Sequence, residues 1–342
     1  MKRITFIVNP ISGTHRKDGF AEKMGQLIDR KAYAEPEVIF TEYAGHATEI
    51  AQRKADEGTD VVVAVGGDGT INEVARSLVH TQTALALVPC GSGNGLARHL
   101  GIPIDVKRDI EIINRAQIEP LDYGVINDIP FFCTCGMGFD AFISLKFAEA
   151  GKRGALTYVE NVLKEGLKYK PQTYLVEDET GSRHYKAFLI ACANASQYGN
   201  NAYIAPNASM SDGLMDVIVM EPFDALDAPA IGLDLMNKTL DKNSKIKTFR
   251  CRRLHITRQE PGAIHYDGDP MMTGTEIDVR LEEKGIRMVV NPDALEPEVK
   301  PNLVVDAFRD MFEGINNVRY DLVKGRRRIT ALNKVLLRKL SK

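Results

Sequence analysis

The sequence predicts an α/β protein of two domains. The first is an N-terminal α/β domain, doubly wound around a mostly parallel sheet, and the second is β-rich and sandwich-like. Three observations predict this. Through about residue 120, strands alternate with helical stretches, which implies crossover connections and a parallel sheet. The strands end on Gly- and Ser-rich loops, at the sheet edge where open α/β folds keep their ligand crevice. After Leu121 the texture changes to closely spaced apolar runs punctuated by Gly, Pro and Asn.

In order, the first domain reads as strand RITFIV, a helix around Asp18 to Asp29, strand EVIFTEY, a helix from His46, strand VVVAV, a helix from Ile71, strand ALALVP and a helix from Asn94. Val61 to Val65 show no polar alternation, as expected of a strand buried on both faces. Gly66, Gly67 and Gly69 follow, free to take backbone angles that side chains forbid and placing no Cβ before an approaching group. Thr70 and Glu73 have capping-box spacing, so the helix is expected from near Ile71 with its positive end facing the turn. Such a turn suits a phosphate. Taken alone, GGDG reads equally well as a ligand-free strand-to-helix turn.

The second domain reads as strands in IPFFCTCGMGF, KAFLIACANA, MDVIVMEP, RRLHIT, AIHYDGDP, TEIDVRL and GIRMVVNP, with helical insertions near 140–169 and 224–240. The boundaries expected are 1–121, 122–292 and a C-terminal segment 293–342 that returns to the first domain. That segment ends in a basic helix with Ile329, Leu332, Val335, Leu336 and Leu340 at helical spacing. It reads either as an interfacial amphipathic helix or as a docked terminal helix with a solvated face.

A length of 342 residues suits two domains, and a net charge of −2 excludes a generally basic nucleic-acid binder. The 5 cysteines fall in no metal-binding spacing and suggest a reducing compartment. Cys133-Thr-Cys135 lies on an apolar strand and reads as structural. No apolar run approaches the roughly 20 residues that span a bilayer, and the N-terminus runs straight into a strand. A cytoplasmic protein, peripheral at most to a membrane, is expected.

GSGNG (91–95) follows the fourth strand, not the first, and its third glycine falls one position early for a dinucleotide fingerprint. No G-x-x-x-x-G-K-[ST] run occurs, which excludes the P-loop enzymes. What remains is a set of glycine loops at one sheet edge, the description of a polyphosphate cradle built from backbone amides.

NPISG, GGDGTINEV, VPCGSGNGLAR, GMGFDA, SDGLMDV and YDGDP, in this order, resemble the motifs of the diacylglycerol kinase catalytic family, which includes bacterial soluble lipid kinases and sphingosine kinases. The resemblance spans residues 3 to 292 and implies a two-domain kinase with ATP in the cleft between the domains. It implies phosphate and ribose contacts from Asn9, Pro10, Ser12, Gly13, Gly66, Gly67, Asp68, Gly69, Thr70, Asn72, Gly91, Ser92, Gly93 and Asn94, and an adenine-side contact from Thr41. Asp212, with the carbonyls of Ser209 and Leu214, is similar to the family's structural Mg²⁺ site; by itself it reads as an Asp-Gly turn.

Phosphoryl transfer to an alcohol needs in-line positioning, charge neutralisation and a carboxylate to accept the hydroxyl proton. The catalytic candidates are Asp68, Asp267 and Asp269, expected near one another and near Mg²⁺. Asp269 stands where the family's pattern carries glutamate, so the proton acceptor is left open among the three. Asp140 is expected as a cap or as support for Asp68. His46 reads as a helix cap or nucleotide contact, and Arg98 and His99 as phosphate contacts or a solvated helix face. The resemblance further implies a lipid substrate, peripheral membrane contact and a homodimer, and no nucleic-acid partner. A kinase of a soluble alcohol such as NAD, and a non-catalytic nucleotide or lipid sensor, are the alternatives.

Overall fold

The computed structural model describes residues 1–13, 19–150, 169–224 and 226–294. The basic tail and the expected return of 293–342 therefore lie almost wholly outside the described residues.

The first domain runs β1 (Ile4–Val8), α1 (Phe20–Leu27), β2 (Glu37–Phe40), α2 (His46–Asp56), β3 (Val61–Gly66), α3 (Asp68–Leu78), β4 (Ala84–Pro89), α4 (Gly95–His99) and α5 (Val106–Arg115). Its strands pair in parallel in the order β2-β1-β3-β4. Alternate residues of each strand feed two different cores. Ile7, Val62, Ala64, Leu85 and Leu87 pack with Ile50, Ile71 and Val74 of α2 and α3. Phe6, Val8, Val61, Val63, Val65 and Val88 pack on the other face with Met24 of α1 and Ile110 and Ile113 of α5. A strand covered by helices on both sides has no solvent face, so its polar positions disappear.

The second domain contributes β5 (Ile118–Ile126), β6 (Ile129–Phe131), β7 (Thr134–Gly138), α6 (Phe139–Ala150), β8 (Gln172–Asp178), β9 (Gly181–Ala187), β10 (Leu189–Ala193) and β11 (Met215–Met220). After these come α7 (Ala228–Met236), β12 (Ile246–Cys251), β13 (Arg253–Arg258), β14 (Gly262–Tyr266), β15 (Asp269–Thr273) and β16 (Glu276–Val289). One antiparallel sheet is ordered β12-β11-β10-β7-β14-β15, while β16-β13-β8-β9, with β5 and β6, extend the first domain's sheet. The join is a single parallel bridge, Met288 to Leu85. The two sheets enclose a core of Cys135, Met137, Ile190, Cys192 and Val217 against Val176, Leu254, Ile256, Ile277 and Val279. This sandwich holds β7 and β14, whose ends carry GMGFD and YDGDP.

Three local expectations are corrected. Helix α3 begins at Asp68, not near Ile71, and its N-cap Gly67 has no side-chain cap. Glu73 instead accepts the Gly45 amide at 3.2 Å and Thr70 Oγ1 accepts Asn9 Nδ2 at 2.9 Å, so both side chains of the expected capping box tie α3 to other loops. None of Gly66, Gly67 and Gly69 has a positive φ; their smallness matters through close approach. Helix α5, the β8-β9 hairpin and β12 were not separately expected.

Candidate active site

Four loops converge at the carboxyl ends of the parallel strands. After β1, the Asn9 amide donates to Val65 O (3.0 Å) and its Oδ1 accepts the Ile11 amide (3.1 Å). Ser12 Oγ closes the turn on Asn9 O at 3.0 Å, Pro10 is exposed, and Gly13 takes φ 75° where a Cβ would stand 2.7 Å from Cys90 O. After β2, the Thr41 amide donates to Val8 O (2.9 Å), which places it beside the first loop.

The β3 and β4 loops are sewn together. A Cβ on Gly91 would lie 2.8 Å from Gly67 Cα, and one on Gly66 would lie 2.6 Å from Thr70 Cβ. Asp68 directs both carboxylate oxygens away from solvent: Oδ2 accepts the Asn94 amide and Oδ1 the Gly95 amide, each at 2.8 Å. It thus caps α4 from another helix, which satisfies amides that the short helix cannot satisfy itself. Gly93 is required because a Cβ there would meet Asp68 Oδ2 at 2.8 Å. Asn94, at φ 51°, accepts the Gly91 amide with Oδ1 (3.0 Å) and donates to Gly91 O with Nδ2 (2.7 Å). Asn72 is buried, whereas Gly69 and Ser92 are exposed and a Cβ on Gly69 would meet nothing within 4 Å. The closed face of the cradle is therefore protein, and its open face presents the first-turn amides of α3 with the positive end of the helix. That arrangement fits the phosphates of a nucleotide.

Facing these loops are the β14–β15 turn and the chain entering β7. Asp267, at φ 52°, is held by three backbone amides: Phe132 at 2.8 Å, Cys133 at 2.7 Å and Thr134 at 3.1 Å. Burial nevertheless pushes its carboxyl above the usual range, outweighing those amides and the positive charge of Arg76. The Cys133 thiol is pushed well up by burial and then by the charges of Asp267 and Asp68, which places both carboxylates within electrostatic reach of one side chain. Asp269 is different, with a side chain 51 % exposed and Arg76 Nη2 3.4 Å away. Arg76 also donates to Pro130 O (3.2 Å) and lies 4.9 Å over the Tyr266 ring, clasping the turn to α3.

Asp68 and Asp267 both act on the Cys133 thiol, and Asp269 follows Asp267 by two residues on the same turn. Among the described residues, no three His, Cys, Asp or Glu side chains converge on a cation position. Asp212 lies in a separate loop. Asp212 Oδ2 is bound by Arg250 Nη2, its Oδ1 accepts the Leu214 amide (3.2 Å), and Ser209 Oγ is engaged with Ser211. Arg250 Nε also faces Asp216 at 3.4 Å. The Arg250 guanidinium thus lies against the carboxylate of this loop. The buried Asp122, accepting Gly213 N (2.9 Å) and Lys284 N (2.8 Å), holds the loop in place.

Other positions also differ from expectation. Asp140 Oδ2 meets His265 Nε2 at 3.0 Å and the Tyr198 hydroxyl at 3.2 Å. His46 follows the N-cap Gly45, accepts the Glu42 amide (3.1 Å) and stacks on Tyr43 with ring centroids 4.5 Å apart. Arg98 and His99 are no solvated face. Arg98 Nε donates to Gly93 O at 2.9 Å, and His99 Nδ1 takes the Ser196 amide at 3.1 Å. Sequence reasoning missed Tyr198, Asn200 and His265. For Tyr198 and Asn200 the signal was the run SQYGNN, whose Gly199, Asn200 and Asn201 all take positive φ, the punctuation of a built loop; His265 stands in the run AIHYDGDP.

Comparison with known proteins agrees with this architecture. The diacylglycerol kinase catalytic domain model matches residues 3–126, and the model of the YegS C-terminal NAD kinase beta sandwich-like domain matches residues 134–296. A diacylglycerol kinase of Bacillus subtilis (strain 168) is 25% identical over 276 residues, covering 79% of this chain and 90% of its own. A diacylglycerol kinase of Mycobacterium tuberculosis is 25% identical over 276 residues, covering 78% and 88%. A crystal structure of a diacylglycerol kinase from Bacillus anthracis superposes with a TM-score of 0.68 at 20% identity, covering 86% of this chain and 98% of that one. The two matched regions follow one another along the chain and are joined where Arg76 of the first faces Asp269 of the second, so the chain is a kinase belonging to the diacylglycerol kinase catalytic-domain family, with a YegS-type C-terminal domain.

Proposed function

We propose that the protein is an ATP- and Mg²⁺-dependent lipid kinase. The hydroxyl oxygen of a lipid forms a bond to the γ-phosphorus of ATP, the bond from that phosphorus to the β–γ bridging oxygen breaks, and ADP leaves. The observation that carries the reading is the paired glycine cradle locked by Asp68, with its open side at Gly69 and Ser92. A divalent cation accompanying the nucleotide would neutralise the phosphate charge.

Of the three carboxylates, Asp267 is satisfied by three amides and Asp68 by two, which suits them to holding the turn and the loops. Asp269 keeps a half-exposed carboxylate with only a long contact to Arg76. This favours Asp269 as the acceptor of the hydroxyl proton. The basic run Lys324 to Lys342 would bring the enzyme to an anionic surface, where interfacial attraction weakens as salt rises. A homodimer is part of the same proposal.

The test is transfer of labelled γ-phosphate to diacylglycerol, a sphingoid base and NAD, each offered separately, the lipids in anionic mixed micelles. Asp269→Asn should lower kcat by about 100-fold or more, the scale of a lost general base, while binding ATP as the wild type does. Labelled NAD with unlabelled lipids would contradict the lipid reading, and an unchanged Asp269→Asn rate would remove Asp269 from the proton-accepting role.

A further inference from the structure

Residues 196–203 run from the end of β10 across to the glycine loop after β4. The Asn200 amide donates to Gly93 O at 3.1 Å. Gly199, at φ 111°, lies where a Cβ would be 3.0 Å from Gly93 backbone atoms, and a Cβ on Gly95 would be 3.3 Å from the Tyr198 carbonyl. The same stretch then reaches into the second domain, where the Tyr198 hydroxyl donates to Asp140 Oδ2. His265 Nε2 shares that oxygen. A carboxylate only accepts, so Nε2 carries the imidazole proton, and Nδ1 has no partner among the described residues. His265 is 2% exposed and stands two residues before Asp267. Asp140 also fixes the start of α6 through the Ala141 amide at 2.8 Å.

An unbroken line of short contacts therefore runs from the phosphate loop, through one tyrosine, to the strand that carries the acid turn. Well-packed apolar side chains would stabilise this region at least as well. A buried polar network instead specifies one relative placement of the groups that it joins.

We infer that Tyr198, Asp140 and His265 are positioning residues, which couple the glycine loop 91–95 to the turn bearing Asp267 and Asp269. The inference rests on the kinase reading above. Filling the loop with phosphates sets the acid turn in its working place, and an error of about 1 Å there costs on the order of 100-fold in rate.

The test uses the full chain and two readouts. Hydrogen exchange is followed with and without a non-hydrolysable ATP analogue in wild type, Tyr198→Phe, His265→Gln and His265→Leu. The analogue should protect 66–70 and 91–95 in all four proteins. Protection should extend to 132–140 and 262–273 in the wild type and in His265→Gln, which keeps a donor for Asp140, and should stop short in Tyr198→Phe and His265→Leu. Those two variants should also lose kcat at least about tenfold, with the KM for ATP within about twofold. Tyr198→Phe removes one oxygen and keeps the ring, so its fold is retained. Protection that never reaches 262–273 in the wild type, or that reaches it unchanged in Tyr198→Phe, overturns the inference. Absence of protection even at 66–70 and 91–95 overturns the nucleotide reading and this inference with it. Normal protection with no labelled lipid leaves the coupling established and overturns only the choice of acceptor.

Discussion

Asp68 and Asp269 show how one residue type divides into two roles by its surroundings. Two amide donors at 2.8 Å make Asp68 a clamp between loops, whereas Asp269 is left open to solvent and to a substrate. Asp109 is a third case. It is 1% exposed, neither of its oxygens has a partner among the described residues, and burial followed by the charge of Asp105 pushes its carboxyl up to about 9. The unfolded chain ionises this group near the ordinary value of 3.8 while the folded chain keeps the proton to about 9. The folded state thus binds more protons across that window, and stability is lost as pH rises through it. Asp109→Leu should stabilise the protein by roughly 1–3 kcal/mol at neutral pH, the cost of an unsatisfied buried group, with a larger gain at pH 8.5. Urea unfolding of both proteins at pH 6 and 8.5 measures this. A variant less stable at the higher pH would contradict it.

At the scale of elements, α4 is the piece on which the cleft depends. It has only five residues, too short to hold itself, and it is fixed by Asp68 at its start and by His99 at its end. Burial lowers the His99 imidazole to about 4, because its charged form would lose water inside the interface with residues 196–203. The unfolded value is near 6.5, so the contribution is complete above that pH and is lost as pH falls toward 4, up to about 3 kcal/mol. His99→Gln keeps an acceptor for the Ser196 amide and should flatten the loss of stability between pH 7 and 4.5, measured by thermal unfolding across that range. An equally steep loss in the variant would show that another group carries it. Strands β3 and β4 were legible in the sequence because two-sided burial leaves wholly apolar runs, whereas the edge strand β2 keeps the exposed Glu37 and Phe40. Helix α4 was legible as a position but not as a buried element, since Arg98 and His99 look like surface residues until the partner loop is in place. The start of α3 was misplaced because Thr70 and Glu73 have capping spacing yet spend their side chains on Asn9 and Gly45.

Over the whole molecule, the ten-stranded sheet carries the first domain's architecture into the second through β16, and the six-stranded sheet closes the sandwich over it. This continuity holds the glycine cradle and the YDGDP turn at fixed places on opposite walls. Sequence motifs marked both walls, because glycine and aspartate at strand ends leave a visible pattern. They did not mark the link between the walls, because Tyr198, Asp140 and His265 meet only through long-range folding. Nor could they show that Arg250, 38 residues from Asp212, pairs with its carboxylate. Among the described residues no helix is long and apolar enough to cross a membrane.

The most direct test of the central claim is transfer of labelled γ-phosphate from ATP to lipids in mixed micelles, with wild type and Asp68→Asn side by side. An asparagine at 68 turns one acceptor into a donor facing an amide donor, which should open the cradle at a cost of roughly 1–3 kcal/mol. The account predicts labelled lipid from the wild type and at least about tenfold less from the variant, through weaker ATP binding. Equal transfer by both proteins, or labelled lipid from neither while ATP binds normally, would contradict it.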